Sequence, residues 1–486
     1  MGLSKSRIIS SLQCHKKLWL EMHRPDLIEA SPAIDALFAS GHQVGAIAQM
    51  LYGRGEGEVI AYDPGLRDAV ARTRALMAQP ATTPIFEATY TFDDVLVRVD
   101  ALLRANDVNR IVEVKAGASV KDVYLSDCAI QAWLFRAAGH TLDGISVAHV
   151  DTSFIYPGGG DYAGLLKEAD VTETIRPLLE QVPRWVAEAK QVLEGPEPDI
   201  AIGPHCHRPY ACPFHAYCAP PSPDYPIAGL KGSRKVIAEL VAEGYEDIRD
   251  VPDGRLASAT QLRIWRATCN RKALVDEAAV EFARALGYPR YYLDFETVGL
   301  AVPIWAGTRP YEKLPFQWSC HIEDADGALR QAGFLDLSGG PPMRACAETL
   351  IEHLGEAGPI LVYTSFEQGV IDGLAARFPD LAVPLLSLID RLVDLYPLMR
   401  AYYYHPDMLG SWSLKAVLPT VAPDMDYTAL DEVQDGMAAG RAYLEAIQPD
   451  TDVARRAEID ARLRTYCCYD TLAMVRLVRY FTAAQP

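Results

Sequence analysis

Glu113-Val114-Lys115 places a carboxylate and an ammonium on one face of a strand, because successive side chains point to opposite faces. Asp100 ends the period-two segment before it and reaches the same end of a hairpin. Carboxylates hold Mg2+ or Mn2+, the ion offsets charge on a phosphodiester, and a nearby lysine assists the attacking water. By itself the triplet is equally a surface ion pair. A second pair of acids, Asp294 and Glu296 in YYLDFET, also shares one strand face. Two adjacent carboxylates on a buried strand are costly unless cations hold them, so this pair points to a two-metal site. Far downstream, Tyr466 and Asp470 stand four residues apart, which stacks them one helical turn apart. The plain alternative is a packed tyrosine and a capping aspartate. Phe366-Glu367, Asp390 and Asp394 are further acids of this part of the chain.

GPHCHRPYACPFHAYC carries Cys206, Cys212 and Cys218 at regular spacing. Three thiolates do not close a tetrahedral set, so a fourth ligand is required. Cys14, beside Lys16, Lys17 and Trp19, is the candidate. A zinc site that recruits His205, His207 or His215 is the alternative. Cys128, Cys269, Cys320, Cys346, Cys467 and Cys468 read as buried thiols.

The elements that must position these groups follow from periodicity. Residues 1–24 and 33–51 show helical stripes, FEATYTF and DVLVRVDALLR alternate as paired strands, 110–115 is a further strand, and a helix covers about 120–138. SVAHVDTSFIY reads as a strand, 170–195 as helical, and 196–225 as a loop. Within 228–285, LVAEGYEDIRDVP is either a helical hairpin that contacts a nucleic-acid backbone or a packing spacer. From Tyr291 onward, YYLDFET, FQWSCHIE and ILVYTSF read as strands, and the last helix runs through TYCCYDTLAMVRLVRYF. A chain of 486 residues asks for more than one core. The expected domains are 1–225, a helical connector at 226–286, and 287–486.

Half the residues are apolar and 23% are charged, a globular composition. The net charge of −18 excludes a protein that coats nucleic acid by bulk attraction. It leaves room for a basic path: Lys5, Arg7, Lys16, Lys17 and Arg24 face only Glu21 in the first 24 residues. No apolar run reaches the roughly 18 residues of a membrane span, and the N-terminus lacks a signal-peptide block. A cytoplasmic protein with no membrane partner and metal-binding rather than disulfide-bonded cysteines is expected.

The segment VDALLRANDVNRIVEVKAGASVKDVYLSDCAIQAWLF, with Tyr124, Asp127 and Gln131 on the helix after the ExK strand, resembles the PD-(D/E)xK superfamily and its RecB-like branch. The resemblance implies a restriction-endonuclease-like α/β fold. In it His42 of GHQVGAIA, Asp100 and Glu113 bind metal, Lys115 and Gln131 assist the chemistry, and Tyr124, Lys16 and Lys17 meet nucleic acid. Phe135 departs from the pattern, standing where the branch has a tyrosine after Gln131. The one-plus-three cysteines resemble the iron–sulfur staple of CRISPR-associated RecB-like nucleases. That likeness implies a cluster, of 4Fe–4S type, on Cys14, Cys206, Cys212 and Cys218, with zinc the alternative.

The C-terminal part resembles DEDD-type RNase H-like exonucleases, with DFET as first motif and Tyr-x-x-x-Asp as third. This implies that Asp294, Glu296, Glu367 and Asp470 hold two metals and that Tyr466 orients the water. It also puts Lys415 of HPDMLGSWSLKAVLP beside phosphate. Glu367 stands where that family has aspartate. The order of the two modules, both α/β and joined by a small helical connector, resembles a bacterial group of RecB-like nucleases fused to an RNase H-like domain. The implied function is a metal-dependent nuclease that hydrolyses DNA, as single strands or at ends, in repair or defence, with RNA a further substrate class. Two alternatives remain: one active centre beside a nucleic-acid-binding module, or a non-enzymatic scaffold stabilised by its metals.

Overall fold

A computed structural model of the chain describes residues 2–29, 32–63, 65–79, 83–105, 108–425, 427, 430 and 433–484. They form a mixed α/β protein of two compact units. The first comprises Met1–Pro220 with Leu300–Glu312, the second Pro221–Gly299 with Lys313–Pro486.

The first unit is built on a seven-stranded sheet. Its strands are β1 (Leu3–Ser4), β2 (Glu58–Val59), β3 (Ile85–Phe92), β4 (Val95–Ala105), β5 (Val108–Lys115), β6 (Gly144–Val150) and β7 (Leu166–Asp170). The order is β2-β3-β4-β5-β6-β7. Helices α1 (Lys5–Gln13), α2 (His15–His23), α3 (Pro32–Gly53), α4 (Leu66–Met77) and α5 (Asp122–Ala137) accompany it. The period-two pattern of β4 buries Val95, Val97 and Val99 on one face. There they share a core with Ala129, Leu134 and Phe135 of α5. The helix expected over 1–24 is broken at Cys14, whose extended backbone ends α1 and starts α2. The strand expected through Tyr156 stops at Val150, and β7 pairs antiparallel with it.

One detail of this sheet shapes the site. The β4–β5 ladder ends at Ala101 and Val112. Two-residue β1 then pairs in parallel with Val95 and Leu96 of β4. Because β3 already covers the other edge of β4 there, β1 takes the edge that β5 has left.

The second unit holds β8 (Leu274–Val275), β9 (Arg290–Val298), β10 (Leu314–Glu323), β11 (Leu329–Leu335), β12 (Ile360–Val362), β13 (Leu392–Asp394) and β14 (Tyr403–Tyr404). Five of them make a sheet ordered β11-β10-β9-β12-β13; β8 and β14 form a separate ribbon. β9, β10 and β11 run antiparallel, and β12 runs parallel to β9 and β13. Every residue of β10 is buried, as in a sheet covered on both faces. The stretch expected as a connector over 226–286 belongs to this unit. Its helices must bury their apolar stripes, and Leu240, Ile248 and Ile264 do so beside Tyr292, Leu361 and Met474. ILVYTSF is strand only to Val362, and the helix Phe366–Arg377 follows. Among the described residues, no helix is long and apolar enough to cross a membrane.

Candidate functional site

Where β4 and β5 part, the Asp100 carboxylate accepts the Val114 N–H at 2.7 Å. Glu113, one residue earlier on β5, is buried. Lys115 donates to Glu113 Oε1 at 2.5 Å and to Asp127 Oδ2 at 2.7 Å. Gln131 donates to Glu113 Oε2 at 2.5 Å. Asp127 and Gln131 stand one turn apart on α5, so both face the sheet at this point. The Lys115 ammonium also lies 5.3 Å from the ring centre of buried Tyr124. A second lysine completes the cluster. Lys5 donates to both oxygens of Glu113, at 3.0 and 3.2 Å, and pairs with Asp127 Oδ1 at 3.0 Å.

Burial, reinforced by the negative Glu113, pushes the Asp100 carboxyl up to about 7 against the pull of Lys5, Lys115 and the Val114 N–H. For Glu113 burial acts the same way, but the Lys115 and Lys5 ammoniums outweigh it and hold the carboxyl below the usual range. Burial likewise opposes a charged Lys115, yet Glu113, Asp127 and Asp100 keep its ammonium well above its ordinary value. The cluster is thus a set of three acids and two ammoniums, which can present carboxylate oxygens to a cation and a lysine to an anion.

Among the described residues, His42, Asp100 and Glu113 do not bring three ligand atoms within 4.8 Å of one another. Val44 of α3 turns inward, in a core with Val150 and beside Val114. Residues two apart on a helix point to nearly opposite sides, and His42 is exposed. Lys16 and Lys17 have partners of their own. Lys16 pairs with Glu197 at 2.9 Å over the Tyr217 ring, and Lys17 donates to Gln13 Oε1 at 2.8 Å.

Both lysines border a cavity whose wall includes Cys14, Cys206, Cys212 and Cys218, with His205 and His215. Gln13 ties the helix break to this loop, donating to the carbonyls of His205 and Tyr210 at 2.8 Å each. Burial pushes the Cys212 and Cys218 thiols up, and the neighbouring Cys14 and Cys206 add to it.

In the second unit, Asp294 and Glu296 of β9 lie opposite Ser319 and Gln317 of β10. The C-terminal helix, Val453–Ala483, supplies Tyr466, Cys467 and Asp470 to the same site. Asp294, Glu296 and Cys467 each bring a ligand atom within 4.8 Å of the others, the one such group among the described residues. The Cys467 sulfur is 3.6 Å from Asp294 Oδ2. Glu367 opens the helix after β12, whose parallel pairing with β9 brings both to the carboxyl edge of the strands, where ligands bind in α/β sheets. Its Oε2 is buried without a hydrogen-bond partner.

A protein-family model described as a domain of unknown function (DUF2779) matches residues 291–413. No curated protein matches the chain. The matched stretch contains Asp294, Glu296 and Glu367; the remaining acid, Asp470, lies beyond it.

Burial first, then Asp470, Glu296 and Glu367, push the Asp294 carboxyl well above its ordinary value. Glu296 is raised well above its own by burial and Asp470, with Lys415 easing it. Glu367 rises to about 7, chiefly by burial, with Asp394 and Asp470 adding. Asp470 is raised by burial and relieved by Tyr427, Lys415 and Tyr466. The Tyr427 hydroxyl donates to Asp470 Oδ1, and Lys415 Nζ lies 5.3 and 5.4 Å from the ring centres of Tyr427 and Tyr466. Four acids beside one lysine make a site that a cation would relieve.

Sequence reasoning names Lys5 only within a basic stretch, Asp127 only as part of the helix after the ExK strand and Cys467 only as a buried thiol, and it does not name Tyr427. Two of these carry a legible signal. Asp127 precedes Gln131 by one turn, and Cys467 precedes Asp470 by three residues, so each shares a helix face with an expected site residue.

Proposed function

We propose that this chain is a metal-dependent nuclease of the reduced cytoplasm that hydrolyses phosphodiester bonds of DNA at two centres. The observation that carries the reading is the meeting of Asp100, Glu113, Lys115 and Gln131 where the β4–β5 ladder opens. Asp100 and Glu113 would hold Mg2+ or Mn2+, which would offset charge on the scissile phosphate. Lys115 would hold the attacking water, and Gln131 would aim Glu113. In the second centre Asp294, Glu296, Glu367 and Asp470 would hold the ions, and Tyr466 would orient the water. The orphaned Glu367 oxygen and the raised carboxyls around it fit a divalent cation. The ExK strand followed by α5 supports a PD-(D/E)xK reading of the first unit. The acid pair on the central strand of a mixed sheet supports an RNase H-like reading of the second.

The four cavity cysteines would hold an iron–sulfur cluster, and a zinc ion that recruits His205 or His215 is the alternative. The cluster would tie the α1–α2 break to the 206–218 loop.

Labelled single-stranded DNA, duplex DNA and RNA, each with Mn2+, Mg2+ or EDTA, test the proposal on the wild type, Lys115→Ala and Asp294→Ala. Cleavage that needs the metal and falls with Lys115→Ala supports it; absence of metal-dependent cleavage of every substrate overturns it. The Tyr427 hydroxyl seated on Asp470 favours a second reading, in which the second unit binds nucleic acid without cutting. On that reading Asp294→Ala leaves cleavage intact.

A further inference from the structure

Lys5 reaches the first centre from the far N-terminal end of the chain, 108 residues before Glu113. Its placement is built rather than incidental. Leu3 is buried in the core of the first unit, and β1 pairs with the edge of β4. Ser4 caps α1, its hydroxyl accepting the Arg7 N–H at 3.3 Å. Lys5 is therefore the first residue of a helix anchored on both sides, and its side chain is only 17% exposed.

The acceptor positions of the Glu113 carboxylate are already taken. Oε1 takes Lys5 and Lys115, and Oε2 takes Lys5 and Gln131. A divalent ion that binds Glu113 must share that carboxylate with an ammonium in direct contact, and like charges at such range repel strongly at a buried site. Both lysines also pair with Asp127, but Lys115 makes the shorter contacts, 2.5 Å to Glu113 and 2.7 Å to Asp127 against 3.0 Å for each from Lys5, and it sits against Tyr124, so it is the better held of the two. Lysine carries a compact charge on a flexible four-carbon stem, which suits movement.

We propose that Lys5 is a displaceable counter-ion: it holds Glu113 in the metal-free protein and moves to a phosphate oxygen of the nucleic acid when a divalent ion takes Glu113. This rests on the nuclease reading of the first unit. It makes the N-terminal strand part of the centre, coupling metal entry to substrate capture. No bond is made or broken in the step; one ion pair is exchanged for another.

The test is Mn2+ binding to the full-length protein without DNA, followed by electron paramagnetic resonance of the free ion. Glu113→Gln identifies the relevant site. Lys5→Gln removes the competing charge, so Mn2+ is expected to bind that site about tenfold more tightly or better. Affinity of the Mn2+-loaded protein for a phosphorothioate DNA that resists cleavage should fall by a similar factor. Lys5→Arg acts in the opposite sense, because a guanidinium grips a carboxylate with two parallel donors; Mn2+ affinity should weaken about tenfold. A merely structural salt bridge predicts that Lys5→Gln weakens metal binding or leaves it unchanged, and either result overturns the proposal. If Lys5→Gln does not fold by circular dichroism, the arginine variant decides: Mn2+ affinity equal to wild type overturns it. A wild type with no Mn2+ site sensitive to Glu113→Gln sinks the nuclease reading itself, whereas a site present but untouched by both Lys5 variants sinks only the counter-ion.

Discussion

Asp100 takes the place of a missing strand partner for Val114: its carboxylate accepts that N–H at 2.7 Å just beyond the last β4–β5 pair. The side chain therefore has a backbone duty besides the proposed metal duty, and two substitutions separate them. Asparagine keeps an oxygen for the Val114 N–H; alanine leaves that amide unsatisfied, at a cost of about 1–3 kcal/mol. Asparagine is also neutral, in a place where burial and Glu113 push the native carboxyl up to about 7. In EDTA, Asp100→Asn is expected to match or exceed wild-type stability in urea, and Asp100→Ala to fall below it. Both should lose metal-dependent cleavage at this centre. Equal destabilisation by the two variants would count against the backbone duty.

The pH dependence of stability has a definite sign. Asp100 and Glu367 are pushed up to about 7, and Asp294, Glu296 and Asp470 are raised as well, first by burial. A raised carboxyl binds its proton more tightly in the folded chain than in the unfolded one. Its contribution is full below the ordinary carboxylate range and is lost as pH rises through the folded value. Glu113, held low by its lysines, works oppositely, but its window lies below the ordinary carboxylate value and does not overlap. These carboxyls should thus cost the metal-free protein stability between about pH 4 and about pH 7, against a smaller opposite contribution from His321, which burial lowers to about 4. Mn2+ substitutes for the protons, so the rise in Tm that it causes should be larger at pH 8 than at pH 5. The same rise at both pH values would contradict this account.

Strand periodicity explains what was legible in the sequence. Glu113 and Lys115 share a face because β structure alternates, and Asp294 and Glu296 do so for the same reason; the structure groups each pair as that spacing requires. Helical spacing likewise brought Tyr466 and Asp470 to one point. Lys5 was not legible, because its position depends on a two-residue strand filling an edge that exists only where β5 leaves β4. The break at Cys14 escaped for a related reason: the apolar stripe continues through it, and only tertiary contacts such as Gln13 with His205 and Tyr210 mark the turn. A helical histidine carries no sign of which face is buried, and here His42 is exposed while Val44 is buried.

Glu367 offers a test of the second centre that does not need catalysis. Its Oε2 is buried with no partner, and its neighbours Asp294, Asp394 and Asp470 are acids. Glu367→Gln removes the charge and supplies an N–H donor to those carboxylates. Without divalent ions the variant should be more stable than wild type by about 1 kcal/mol, read from urea midpoints in EDTA. With Mn2+ the order should reverse, because a ligand is lost. A variant that is less stable in EDTA would indicate that the carboxylate is already satisfied and that no ion is needed there.

Cys14 stands at the junction of α1 and α2 and on the wall of the cysteine cavity, and a single substitution divides those roles. Serine is a good residue to start a helix, through its hydroxyl, so Cys14→Ser should preserve the break and the far-ultraviolet circular dichroism. It removes one of four thiolates, so the iron and sulfide of anaerobically purified protein should fall towards background, together with the broad visible absorption of a cluster. Tm should fall by several degrees, because the tie between the N-terminal helices and the 206–218 loop closes a long stretch of chain. Cys269→Ser is the control, since Cys269 lies outside the cavity wall, and it should leave iron content unchanged. One zinc per chain and no iron in the wild type would replace the cluster with a site that recruits His205 or His215, while iron unaffected by Cys14→Ser would remove Cys14 from the ligand set.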